Sequence, residues 1–182
     1  TRNCNHATAG INQPTYNDAR FNGYPALTFN GGTDFYNFSL TGIKGSSYTL
    51  FAVGERSNGN NNNYFLGTDS LTNNEGLFLG YGTNTTVTLD HTGNGIAAAV
   101  NPYTVDRETP VLLLGEFNAG TGKTLMEYKE GVATTATDAD LTPLTGNASG
   151  VLGRGNGTAG LNGDMSELIV YSGVLNASDS RD

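Results

Sequence analysis

Apolar residues in this chain come in short runs broken by polar, glycine-rich stretches, a pattern of strands joined by turns rather than of long helices. Ala26-Leu27-Thr28-Phe29 is ended by Asn30-Gly31-Gly32-Thr33-Asp34, a dense turn signal. Tyr48 to Val53 is β-branched and aromatic with nearly continuous apolar character, as a doubly covered strand would be. A polar loop over 58–63 follows, in which the Asn60 to Asn63 tract reads as loop and nothing more. Tyr64 to Gly67, Gly76 to Gly82 and the alternating Thr85 to Leu89 then resume strands. Pro110 to Phe117 predicts a buried strand and Asn118 to Gly122 a turn. Lys123 to Lys129 alternates polar and apolar residues, predicting the second arm of a hairpin with one wet face. Glu130-Gly131 turns the chain again, Asp138 and Asp140 fall in a Thr/Ala-rich loop, and Gly150 to Arg154 and Gly163 to Tyr171 are the closing strands. Asn176-Ala177-Ser178-Asp179 has an N-cap pattern, so a helix is expected to begin there. About ten to twelve strands at such spacing predict an all-β sandwich or barrel.

Composition strengthens that reading. Of 182 residues 26 are Gly, 22 Asn and 24 Thr, while only 14% are charged and none is Trp. Such a mixture disfavours helix and supplies turns. One domain over 1–182 is expected, as part of a longer chain. The net charge of −8, with nine basic residues spread thinly, excludes the concentrated positive field that nucleic acid requires, and weakens any case for an anionic membrane surface. No apolar run is long enough to insert in a bilayer as a helix. Cys4 is the single cysteine and has no partner for an internal disulfide. With His6 and His91 it makes only three candidate zinc ligands, too few for a closed structural site. Five N-x-S/T sequons, at Asn37, Asn84, Asn147, Asn156 and Asn176, are no more than the abundance of Asn, Ser and Thr yields by chance.

The order of motifs resembles a known family. Gln13-Pro14-Thr15-Tyr16, then Phe21-Asn22-Gly23-Tyr24-Pro25-Ala26-Leu27-Thr28-Phe29-Asn30-Gly31, is similar to the opening of bacterial and phage laminin-G-like domains, with Asp34 at their following acidic position. Tyr48 to Val53, Leu125 to Gly131 and Val151-Leu152-Gly153-Arg154 resemble later strands of that family. Gly163 to Tyr171, followed by Val174-Leu175 and a polar tail, resembles its closing signature. The resemblance spans nearly the whole chain in order and implies an all-β, two-sheet antiparallel jelly-roll sandwich of the concanavalin A-like kind. It says less about chemistry, because one such fold hosts many functions.

A glycosidase on this architecture would carry acids at i, i+2 and i+4 of one strand, all facing one sugar. No such strand is present. Asp164 and Glu167 lie three apart, which in a regular strand sends them to opposite faces, and Glu127 and Glu130 have the same offset across a turn. Asp138 and Asp140 have the right offset but no third acid. The resemblance places Glu167 at a position common in non-catalytic members. His91 reads as a solvated turn residue, and Gly153 to Gly157 as a turn rather than a phosphate loop. No catalytic residue is assigned.

Sugar binding draws on an aromatic platform with loop amides and carboxylates, sometimes with Ca²⁺ held by loop oxygens. Two clusters fit: Tyr64, Asp69 and Asn73, and Arg154, Asn156 and Asn162, expected to converge at one rim. Asp34 and Asp69 are the candidate Ca²⁺ ligands. The expected function is therefore a non-catalytic carbohydrate-recognition or adhesion module. Its partner would be a glycan or cell-surface polysaccharide, and its location extracellular, on a cell surface or on a virion fibre. The alternative is a structural decoration domain packing against other copies or neighbouring virion or surface proteins; a glycoside hydrolase is the least favoured.

Overall fold

The computed structural model describes residues 8–9, 12–93, 96–100, 108–146, 149–155 and 160–175. The expected helix at Asn176, together with Cys4, His6 and Asn156, lies outside the described residues.

The described residues form fourteen strands and one 3₁₀ turn at Thr41–Ile43. The strands are β1 (Thr8–Ala9), β2 (Thr15–Phe21), β3 (Tyr24–Asn30), β4 (Tyr36–Phe38), β5 (Tyr48–Arg56), β6 (Asn63–Thr68) and β7 (Leu77–Thr83). They continue as β8 (Thr86–His91), β9 (Ile96–Val100), β10 (Val111–Asn118), β11 (Gly122–Lys129), β12 (Val132–Asp138), β13 (Gly150–Leu152) and β14 (Asn162–Ser172). They make two seven-stranded antiparallel sheets, ordered β1-β4-β13-β6-β7-β8-β9 and β12-β11-β10-β5-β14-β3-β2. The jelly-roll sandwich expected from the sequence is the fold.

The period of two decides what lies between the sheets. Tyr48, Leu50 and Ala52 of β5 and Val111, Leu113 and Phe117 of β10 meet Phe65, Leu66, Leu77, Leu79, Tyr81, Val87 and Leu89 from the facing sheet, all buried. Each large side chain so buried stabilises by about 1.5–3 kcal/mol relative to exposure. Gly54 completes the fit, because a Cβ there would stand 2.4 Å from the Phe65 ring.

Two expectations are corrected here. Val132–Asp138 is a strand, not a loop: β12 pairs along its whole length with β11, and its exposed Thr135 and Thr137 suit an edge. In β11 the wet and dry faces are also reversed. Lys123, Leu125, Glu127 and Lys129 form the buried set, while Thr124, Met126 and Tyr128 face outward. Charge alone misled, because an inward Lys with acidic partners can be satisfied inside: the Lys123 ammonium lies 2.9 Å from Asp138 and 3.4 Å from Asp140.

Candidate functional site

At the end of the sandwich where β5 passes into β6, several loops enclose a concave depression. Its lining is Asn30, Asn58, Asn60, Asn61, Asn62, Asn63 and Asn162, with Gly31 and Gly160 between them. The loop over 57–62 is organised by its own side chains. Asn58 Oδ1 accepts from the Asn60 backbone N–H at 3.1 Å and from Asn63 Nδ2 at 3.2 Å. Asn63 is buried, and its Oδ1 accepts the Asn162 backbone N–H at 3.0 Å, stitching the loop to β14. Asn62 holds a left-handed φ of 62°, which Asn tolerates better than most residues. Asn61 Oδ1 accepts from Asn84 N–H at 2.8 Å in the β7–β8 turn. The Asn84 carbonyl in turn accepts from Arg56 Nη2 at 2.7 Å, and the buried Arg56 guanidinium lies 3.9 Å over the Tyr81 ring. On the other side Asn30 Oδ1 accepts from Gly32 and Thr33 N–H, each at 3.2 Å. Gly160 must lack a side chain, since a Cβ would come within 2.9 Å of the Gly31 backbone.

The sequence-derived candidates divide between the two ends of the molecule. Tyr64, Arg154 and Asn162 lie at the asparagine end. Tyr64 O–H donates to Asn62 Oδ1 at 3.3 Å, and Arg154 stacks 3.6 Å over Phe35. Asp69 and Asn73 lie beyond the far end of β6, so the expected cluster of Tyr64 with Asp69 and Asn73 does not assemble. One strand carries both ends of that cluster, and a strand pulls its termini apart. Asp34, just before β4, shares the Tyr64 end. Pairing of β4, β13 and β6 therefore separates Asp34 from Asp69 by about five residues, roughly 16 Å along the strands. The two cannot grip one Ca²⁺, which needs six to eight oxygens within about 2.6 Å. Asp34 also already accepts from Asn30 N–H at 3.2 Å, and among the described residues no three acids, histidines or cysteines converge as a metal site.

Sequence reasoning passed over the asparagine tract because Asn forms turns anyway; the signal was its density, six of the seven lining asparagines falling outside the residues it selected. It also passed over a charged cluster on the outer face of the second sheet. Glu55 and Asp164 are directly paired across β5 and β14, and both are buried. Arg20 of β2 reaches over them, its Nη2 on Glu55 and its Nε 2.9 Å from Asp164, while the Thr28 hydroxyl donates to Asp164. Burial pushes the Glu55 carboxyl above its ordinary range, with Arg20 pulling the other way and Asp164 and Glu108 adding repulsion. The same face holds Glu167, which corrects an expectation: a β-bulge between Met165 and Glu167 inserts one residue, so Asp164 and Glu167 pair with Glu55 and Val53 and point to the same side. Three acids thus share a face. The Glu55 and Asp164 side chains are only 4% and 3% exposed, however, and both are ion-paired with the Arg20 guanidinium.

No family model and no curated protein sequence matches the chain. Solved structures do. Domain 4 of AbnA, a GH43 extracellular arabinanase from Geobacillus stearothermophilus solved with arabinotriose, is similar at a TM-score of 0.66 and 18% identity, over 96% of this chain and 84% of that one. The likeness is one of fold. The CBM40 of the Ruminococcus gnavus IT-sialidase, bound to alpha2,3 sialyllactose, follows at 0.62 and 15%, over 85% of this chain and 93% of that one. Tailspike protein 2 of an Escherichia coli O157:H7 bacteriophage is similar at 0.65 and 16%, over 96% of this chain but only 27% of the tailspike. At 15–18% identity these neighbours show the jelly-roll sandwich fold and nothing beyond it.

Proposed function

We propose that this chain is a non-catalytic carbohydrate-recognition module, acting outside the cell or on a virion surface, whose ligand enters the asparagine-lined depression. The observation that carries the reading is the depression itself: seven amide side chains in a concave rim of a lectin-like sandwich. Amides offer sugar hydroxyls both donors and acceptors, and here the loop bonds hold them in place before any ligand arrives. Neighbours solved with arabinotriose and sialyllactose support the ligand class. The Glu55–Asp164 pair is read as a latch holding β2 to the sheet, and neither it nor Glu167 as a catalyst. The test is a glycan array read beside a hydrolysis assay on the bound glycans. Binding without turnover is expected. Absence of any binding at millimolar glycan removes the reading, and hydrolysis abolished by Glu167→Gln replaces it with an enzyme.

One observation favours a second reading, docking on neighbouring protein. The outer face of the second sheet carries Phe51 and Val53 of β5, Leu112 and Leu114 of β10 and Ile169 and Tyr171 of β14, an apolar band with Tyr171 43% exposed. Concentration-dependent self-association in sedimentation, lost on Tyr171→Lys, would favour it.

A further inference from the structure

From the hydrogen-bond accounting of the rim we infer that its ligand is a neutral sugar without an N-acetyl group, held by Asn side-chain N–H groups donating to its hydroxyl and ring oxygens. The inference rests on the carbohydrate reading above and narrows it.

Most of the amide oxygens are not available. Those of Asn58, Asn61 and Asn63 accept backbone N–H groups at 2.8–3.1 Å, and the Asn62 oxygen accepts the Tyr64 hydroxyl at 3.3 Å. A backbone N–H can only donate, so for Asn58, Asn61 and Asn63 these contacts settle which end of the amide faces inward. Left without a hydrogen bond in the protein, among the described residues, are the NH₂ of Asn58, Asn61 and Asn62 and the whole amide of Asn60 and of Asn162, all of which line the depression. Free donors outnumber free acceptors at this rim, and the atoms that suit them are oxygens with lone pairs.

Two kinds of ligand supply such oxygens, sugar hydroxyls and anionic groups. Charge decides between them. Among the described residues the lining contains no cation; of the arginines at this end, Arg56 is buried under Tyr81 and committed to the Asn84 carbonyl, and Arg154 is stacked on the Phe35 ring. The chain carries a net charge of −8, and the Asp34 carboxylate stands directly behind Asn30. An acidic sugar would be desolvated against that field with no cation in the described lining to offset the loss. Among the described residues the lining also has no apolar or aromatic side chain, so an N-acetyl methyl would find no wall there.

The experiment is calorimetric titration of the whole chain with neutral oligosaccharides (arabinan, glucan, galactan and mannan fragments), with chito-oligosaccharides, and with sialyllactose and oligogalacturonate. At least one neutral oligosaccharide is expected to bind, with the acetylated and acidic sets at least tenfold weaker. Asn60→Asp and Asn162→Asp, isosteric exchanges of a donor for a charged acceptor, are expected to weaken that binding at least tenfold while thermal unfolding stays within a few degrees. Equal or tighter binding of an acidic or acetylated sugar overturns the inference and leaves the carbohydrate reading standing. Neutral binding indifferent to both substitutions places the ligand elsewhere and overturns it too, and binding of nothing in the panel removes both.

Discussion

The two ends of this sandwich are built from the same polar residues and treat them differently. At the asparagine end, side-chain oxygens turn inward to hold the loops while several NH₂ groups of residues lining the depression stay without a protein partner. At the opposite end several side chains bond within the protein. Asp69 exchanges with Ser149, whose N–H donates to its Oδ1 at 2.8 Å, and Ser70 O–H donates to Glu75 at 3.0 Å. Thr145 N–H donates to the Asn74 carbonyl at 2.7 Å, closing one loop over another. Beneath these loops lie two buried polar knots, Tyr48 with His91 and Lys123 with Asp138 and Asp140. Composition alone does not distinguish a binding rim from a structural one; the fate of each lone pair and each N–H does.

The largest effect that tests this division is expected at His91. Its Nδ1–H donates to the Thr142 carbonyl at 3.1 Å, which leaves Nε2 to accept from the Tyr48 hydroxyl at 2.5 Å. Burial lowers the His91 pKa to about 4, with the Thr142 bond and nearby Asp138 and Asp140 opposing that and Lys123 adding to it. The folded state therefore refuses a proton that the unfolded chain takes up below pH 6.5. Stability from this group is complete above pH 6.5 and declines as pH falls toward 4, by up to about 3 kcal/mol. Glu55, Asp90 and Glu116, whose pKa values burial raises, act in the opposite sense at acid pH. The His91 share is thus read as the difference in urea midpoint slopes between the native chain and His91→Gln across pH 7 to 4.5. Equal slopes would mean that His91 is solvated at this end.

Next in size is Lys123→Ala. It strips the cation from two carboxylates and opens space beside Phe117. Breaking a buried pair costs about 3–5 kcal/mol, but Asp138 and Asp140 are 23% and 27% exposed and partly hydrated, so about 2–3 kcal/mol is expected in urea unfolding. Glycan affinity of the folded fraction should not change. A parallel loss of affinity would show that the two ends are coupled through the sheets.

How much of this was legible beforehand follows from the range over which each signal acts. Apolar runs such as Tyr48 to Val53 and Pro110 to Phe117 announce strands locally, and both lie in the centre of one sheet. The polar edge strands announce little, since Thr15–Phe21 and Val132–Asp138 bury few residues and borrow their shape from a neighbour. The bulge that turns Glu167 to the side of Asp164 has no mark in the sequence, because a single inserted residue is visible only in the register with β5. The site was half legible. Asn162 and Tyr64 were within reach as loop-flanking polar and aromatic residues. Their company was not, because Asn30, Asn58 and Asn162 meet through pairing between segments far apart in the chain.

The smallest expected effect is the most direct check on which rim binds. Asp69→Ala removes the acceptor of the Ser149 N–H in an exposed loop, where water can replace it. A loss of about 0.5–1 kcal/mol is expected, a shift of a few degrees in thermal unfolding. Because Asp69 lies at the end opposite the asparagine rim and bonds to Ser149, glycan titration should be superimposable on that of the native chain. Asp69 was also a candidate metal ligand, so the same titration with and without Ca²⁺ adds a second reading. If Asp69→Ala abolished binding, with or without a calcium requirement, the ligand would sit among the loops at 69–76 and 145–149. The inward bonds there would then be a resting arrangement that the sugar replaces, and the donors of the asparagine rim would be surface without a ligand.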